Sequence, residues 1–221
     1  MRWVADCAKQ TYPAAMSSLT ERRKAATRMD IARTATELFI EHGLRATRAE
    51  DIARASGVAP RTFYRYFATK EEAVAPVFAA GVRLWVDAVR DAPSGLSLPA
   101  ALTHAAGEAL DSADPANAES MGRVRELLRL AEEAPALRSV WNDAYDAAES
   151  ALAGVLAERT GRDRQSLGLR LAAAAGSTAV RIAVENWAAS GPDTPADGPQ
   201  GPAALVAQNI ETLSNSPWSL P

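Results

Sequence analysis

Cysteine and histidine are scarce in this chain: Cys7 is the only thiol, and His42 and His104 are the only imidazoles. One thiol excludes an internal disulfide and a cysteine-built zinc site, and two histidines outside any ligand spacing leave no metal centre to expect. There is no window of roughly 18 uninterrupted apolar residues, so no membrane span is expected. The start, Met1-Arg2-Trp3-Val4-Ala5-Asp6-Cys7, lacks the long apolar region of a secretory signal, which predicts a cytoplasmic protein. A glycine-rich phosphate loop, a nucleophile elbow and an H-E-x-x-H helix are all missing. An enzyme is therefore not expected, nor is a cofactor. Convincing period-2 alternation and repeats at solenoid spacing are absent too, which leaves helices.

What is present is a soluble-protein composition, 48% hydrophobic and 23% charged over 221 residues, enough for one or two domains with a real core. The net charge of −3 conceals an uneven distribution. Thr20 to Lys70 carries 11 Lys/Arg against 6 Asp/Glu, whereas Glu71 to Pro221 carries 11 against 20. A basic segment on an acidic body suits a nucleic-acid module attached to a part that does not bind it. Arginine far outnumbers lysine, whose only members are Lys9, Lys24 and Lys70; with abundant alanine this reflects a GC-rich coding bias and not a function.

The chain reads as all-α with about nine helices. Residues 1–19 lack periodicity and form an expected tail, with Met16 as an alternative start. A first helix over about 20–42 carries Ile31, Ala35, Leu38 and Phe39 on one face and stops at Gly43. Two short helices follow near 48–55 and 60–67. A fourth is expected from the capping box Thr69-Lys70-Glu71-Glu72 to Asp91, kinked at Pro76 because proline removes a donor and clashes with the preceding turn. Further helices are expected at about 98–112, 117–133, 135–160, 163–189 and 202–214. The eighth is apolar on more than one side, with Leu167, Leu171, Thr178 and Ile182 on one face and Val180, Val184 and Trp187 on another. That pattern predicts burial by more than one neighbour. The expected domains are a helix-turn-helix module over 20–68, a second domain over 69–214 and a tail over 215–221.

The segment from Thr47 to Phe67 carries the chemistry. Phe63 and Phe67 stand four apart and can share a buried face with Ile52 and Val58. Arg61, Thr62, Tyr64, Arg65 and Tyr66 are then left to point elsewhere. Two arginines, two tyrosines and a threonine suit a helix lying in a major groove, with arginine for guanine edges and hydroxyls for phosphates. The blander alternative is a helical hairpin inside a bundle.

Residues 20–89 resemble the N-terminal domain of the TetR (tetracycline-repressor-like) family of bacterial regulators. The matching text is Ala32-Arg33-Thr34-Ala35-Thr36-Glu37-Leu38-Phe39, His42-Gly43, Asp51-Ile52-Ala53, Ser56-Gly57-Val58, Arg61 to Phe67 and Thr69-Lys70-Glu71. The resemblance implies a homodimer whose two helix-turn-helix units read palindromic double-stranded DNA, and a C-terminal helical domain that binds a small-molecule effector. By position it implies base contacts from Arg61 and Thr62 on a recognition helix starting at Pro60. It implies phosphate contacts from Tyr64, Tyr66 and Lys70, with Thr47, Arg48 and Arg65 in the same DNA-facing set.

Two departures bear on helix starts. Arg48 stands where the family usually has a second threonine, leaving Thr47 and Glu50 as a possible capping box. Ala59 replaces the usual capping residue, and Pro60 at the first helical position partly compensates. Candidate effector contacts are His104, Arg125, Trp141, Asn142 and Tyr145, with Glu185, Asn186 and Trp187 as further polar or aromatic positions. The implied dimer of the last two helices makes Leu171, Ala175, Thr178, Ile182, Val206, Ile210 and Leu213 candidate interface residues. The expected activity is ligand-responsive repression; an activator or a ligand-independent DNA binder are the alternatives.

Overall fold

A computed structural model describes residues 19–110, 115–191 and 194–215. The expectations for residues 1–18, Cys7 and Met16 included, and for 216–221 lie outside the described residues. Among the described residues the fold is all-helical, with nine α-helices and no strand. They are α1 (Leu19–His42), α2 (Ala49–Ala55), α3 (Pro60–Tyr66), α4 (Ala75–Asp91), α5 (Leu98–Ala109), α6 (Pro115–Glu132), α7 (Pro135–Thr160), α8 (Leu167–Ala189) and α9 (Pro202–Asn215), with a 3-10 turn at Glu71–Val74. The chain divides into two compact units. One takes the residues up to Phe78 together with 122–141, and the other takes 79–121 with the residues from Asn142 onward. The expected 20–68 module lies wholly inside the first unit, and residues 122–141 join it from the segment assigned to the second domain.

In the first unit, Ile31, Ala32, Ala35, Thr36 and Phe39 recur at helical spacing along α1 and are all buried. Gly43, at φ +80°, ends the helix, and its N–H donates to the Phe39 carbonyl at 3.0 Å. Ile52 and Ala53 of α2, Phe63 of α3, Phe67, Ala73, Val74 and Phe78 are buried in the same unit. Phe63 and Phe67 have ring centroids 5.6 Å apart, and the Arg28 guanidinium lies 5.4 Å from the Phe67 ring centroid. Trp141 meets Phe78 edge-on at 5.0 Å.

The segment before α4 departs from expectation. The capping box forms only in part: Thr69 Oγ1 accepts the Glu72 N–H at 3.2 Å, while Glu72 Oε2 accepts the N–H of Ala68 at 2.9 Å instead of that of Thr69. It opens a 3-10 turn, however, and the α-helix proper begins at Ala75. Pro76 is therefore its second residue. A proline there loses no intrahelical bond, so the predicted interior kink has no cause.

In the second unit, α8 is buried at Leu169, Ala173, Gly176, Ser177, Ala179, Val180, Ala183, Val184, Trp187 and Ala188, spread over more than one side as its pattern predicted. Gly176 permits close approach: a Cβ there would stand 3.2 Å from a Leu102 methyl on α5 and 3.5 Å from Leu152 on α7. Asn209 of α9 donates to the Ala179 carbonyl at 2.8 Å, and the Trp187 indole N–H donates to the Pro195 carbonyl at 3.0 Å. By length and hydropathy α8 could span a bilayer, but buried core helices pass that test equally, and this one carries the Arg181–Glu185 ion pair at 3.2 Å. It starts at Leu167, four residues later than expected. The Asp163 carboxylate accepts the Gln165 N–H at 2.9 Å and folds the preceding residues into a turn.

Candidate nucleic-acid interface

The interface is built on α2, a four-residue turn and α3. Gly57, at φ +70°, makes the corner, and the Val58 N–H donates to the Ala53 carbonyl at 2.9 Å while the Gly57 N–H reaches Arg54 at 3.1 Å. Pro60 occupies the first position of α3, and Ala59 makes no side-chain cap. The α3 helix forms regardless, because Thr62 and Phe63 both donate backbone N–H groups to the Ala59 carbonyl at 2.8 and 3.0 Å. Phe63 and Phe67 are buried, and Val58 is half-buried. With the aromatics turned inward, Arg61, Tyr64 and Arg65 are exposed and Thr62 and Tyr66 are partly so.

Among the described residues Arg61 has no hydrogen bond or ion pair, so its five donors are open. Arg65 lies over the Tyr66 ring at 5.4 Å. The Tyr64 phenol, half exposed, donates to Glu50 Oε1 at 3.3 Å across the corner between α3 and α2. Its acidity is weakened, first by desolvation and then by the Glu50 charge, so it stays a protonated donor.

Two residues expected to face DNA do something else. Thr47 is 2% exposed, and its hydroxyl donates to the Gly43 carbonyl at 2.9 Å and lies 3.2 Å from the Leu38 carbonyl. It closes the end of α1 and has no surface to offer a phosphate. The Lys70 ammonium donates to the carbonyls of Leu44 at 2.6 Å and Thr47 at 2.9 Å, with Glu71 at 4.0 Å. Two of its three protons hold the turn before α2. The start of α2 also differs from the expected Thr47–Glu50 box. Arg48 occupies the N-cap, and Asp51 Oδ2 accepts its N–H at 3.1 Å; an arginine side chain has no acceptor to return the bond. Asp51 also pairs with Arg54. Glu50, freed from capping, joins the candidate interface through Tyr64, and the sequence reading passed it over because no local signal links residues 14 apart.

The candidate effector residues divide by exposure. Arg125 and Trp141 are buried in the first unit, and Tyr145 is buried in the second, whereas His104 and Asn142 face solvent. Burial lowers the basicity of Arg125, as does the Arg129 charge, with Glu126 opposing. Burial raises the Tyr145 phenol well above its ordinary range, helped by Glu185 and opposed by Arg181. Glu185 is part-buried in its pair with Arg181, Asn186 faces solvent, and the Trp187 N–H is spent on Pro195.

The candidate interface set divides in the same way. Leu171, Ile182 and Leu213 are 40%, 38% and 47% exposed, Thr178 is exposed and Ala175 is half-buried. Val206 and Ile210 are corrections: both are buried within the chain's own second unit, on the side of α9 that holds it to the rest of that unit. Leu167, at 79%, extends the exposed apolar row of α8 at helical spacing.

An all-helical chain presenting a cationic, hydroxyl-bearing second helix across a glycine corner is a helix-turn-helix protein. The family described as "Bacterial regulatory proteins, tetR family" matches residues 31–75, and the "MftR C-terminal domain" matches residues 96–198. The chain belongs to the tetR family of bacterial regulatory proteins. It is 31% identical over 147 residues to the HTH-type transcriptional regulator TcmR of Streptomyces glaucescens, covering 66% of this chain and 65% of that one. It is 47% identical over 49 residues to MftR of Mycobacterium tuberculosis, covering 22% of this chain and 25% of the relative. The matches thus span less than two thirds of either relative. The crystal structure of Thermus thermophilus FadR, a TetR-family repressor in complex with lauroyl-CoA, shares the fold at a TM-score of 0.54 and 22% identity, with 84% of this chain and 92% of that one covered.

Proposed function

We propose that this protein is a DNA-binding transcriptional regulator of the bacterial cytoplasm and that it represses by occupying a palindromic operator as a homodimer. The observation that carries the reading is α3, where Phe63 and Phe67 lock the inner face and hold Arg61, Thr62, Tyr64 and Arg65 outward on a rigid helix. Arg61 and Thr62 are the base readers. Tyr64, Tyr66, Arg48 and Arg65 hold the backbone, and Lys70 has one remaining proton for a phosphate. Phosphate contacts set register and affinity; base contacts set sequence.

An effector bound within the helical body releases the DNA. Paired recognition helices must stand roughly 34–36 Å apart to enter successive major grooves. A small molecule that binds better to another spacing lowers DNA affinity by its differential affinity for the two states.

The test is to sequence the DNA this protein captures from a genomic library and to measure binding of the enriched duplex and of a random one. Arg61→Ala is expected to weaken the enriched duplex roughly tenfold or more while leaving random DNA nearly unchanged, since a bidentate arginine contributes about 1–3 kcal/mol of discrimination. Equal losses on both duplexes remove Arg61 as a reader.

A further inference from the structure

Glu50 is out of place in a face built to meet phosphates. It is exposed on the first turn of α2, and its carboxylate stands 3.3 Å from the Tyr64 hydroxyl of the recognition helix. The neighbouring acid groups are engaged. Asp51 is held by Arg54 and the Arg48 N–H, Glu72 accepts a backbone N–H, and Glu71 lies beside Lys70. Glu50 has no cation within ion-pair distance among the described residues; its one partner is the phenol.

A phenol has a single proton. While Tyr64 donates it to Glu50, it has none for a phosphate. To hold a phosphate, Tyr64 must turn its proton away and leave an unscreened carboxylate against the approaching anion. Both steps oppose binding to any duplex, whatever its sequence. Only a duplex that also satisfies the base readers, or that offers Glu50 a donor such as the cytosine amino group, compensates the loss.

We infer that Glu50 is a specificity-determining residue: it makes the Tyr64 phosphate contact conditional and suppresses binding to DNA of arbitrary sequence. The inference rests on the proposed DNA-binding reading and adds a repulsive element to it, one of the two ways in which specificity is built.

The experiment measures binding of the full chain to a random-sequence duplex of about 30 base pairs across a salt series, comparing wild type, Glu50→Gln and Glu108→Gln. Glutamine keeps an acceptor for Tyr64 and removes only the charge. Glu108 is exposed on α5, and its variant makes the same change in net charge elsewhere. Glu50→Gln is expected to bind the random duplex roughly fivefold more tightly at low salt, with the gain shrinking as salt screens it. Glu108→Gln should leave affinity within twofold. A Glu50→Gln protein that binds random DNA no better than wild type, or no better than Glu108→Gln, overturns the inference while the DNA reading stands. A wild-type protein that shows no salt-dependent affinity for DNA overturns the DNA reading, and the inference falls with it.

Discussion

Lys70 shows how one charged side chain changes meaning when its surroundings are known. On the sequence it is a cation beside a recognition helix, and a phosphate contact is the natural role. In the fold its ammonium bridges the carbonyls of Leu44 and Thr47, residues more than twenty positions away. It works together with the buried Thr47 hydroxyl to fix the turn that places Arg48 and the start of α2. Lys70→Met leaves both carbonyls without their donor and is expected to cost about 1–3 kcal/mol, given that hydrogen bonds to charged groups contribute more than neutral ones and that this one is partly exposed. Hydrogen exchange should accelerate at residues 43–49, and the thermal midpoint should fall. An unchanged midpoint with a salt slope reduced by about 0.9 would make Lys70 a phosphate ligand alone. The inward aromatics were legible beforehand, since the i, i+4 spacing of Phe63 and Phe67 lies within one helix. The partners of Thr47, Glu50 and Lys70 were not, because each bond except the i, i+4 closure onto Gly43 joins segments that only the folded turn brings together.

At the scale of the element, helix bounds were readable where proline and glycine punctuate them. The α7 helix runs from Pro135 to Thr160 as expected, with Gly161 at φ +67° behind it. Bounds slipped where side chains compete for backbone groups: Asp163 delays α8, and Thr69 with Glu72 diverts the chain into a 3-10 turn before α4. Pro76 is the clearest consequence. Counted from Thr69 it lies deep enough to kink a helix; counted from Ala75 it sits in the first turn, where its missing N–H has no acceptor to lose. Pro76→Ala is therefore expected to destabilise by at most about 1 kcal/mol, through the freer unfolded chain. Thermal or urea unfolding checks this. A gain of several kcal/mol would show that the proline strains the helix, as it would at an interior position.

At the scale of the whole molecule, α8 and α9 show why an apolar stripe on a sequence does not say what covers it. Val206 and Ile210 belong to the interior, while Leu167, Leu171, Ile182 and Leu213 remain open to solvent. Sequence periodicity marks both sets as apolar; only the fold separates the core from an exposed apolar row. An isologous dimer through the α8 row would cover these side chains with their own copies and join two recognition helices in one molecule. The acidic charge of the chain beyond Lys70 would then keep that body off the phosphates and leave the basic segment to make the contact. The combined Leu171→Glu and Ile182→Glu protein places like charges on both sides of such a contact. It is expected to sediment as a monomer and to lose most of its affinity for a palindromic operator while retaining weak, salt-dependent binding to random DNA, since each α3 is untouched. A variant that remains dimeric would place the interface elsewhere. One that turns monomeric yet keeps full operator affinity would show that a single helix-turn-helix suffices, and the need for fixed spacing between two readers would fall.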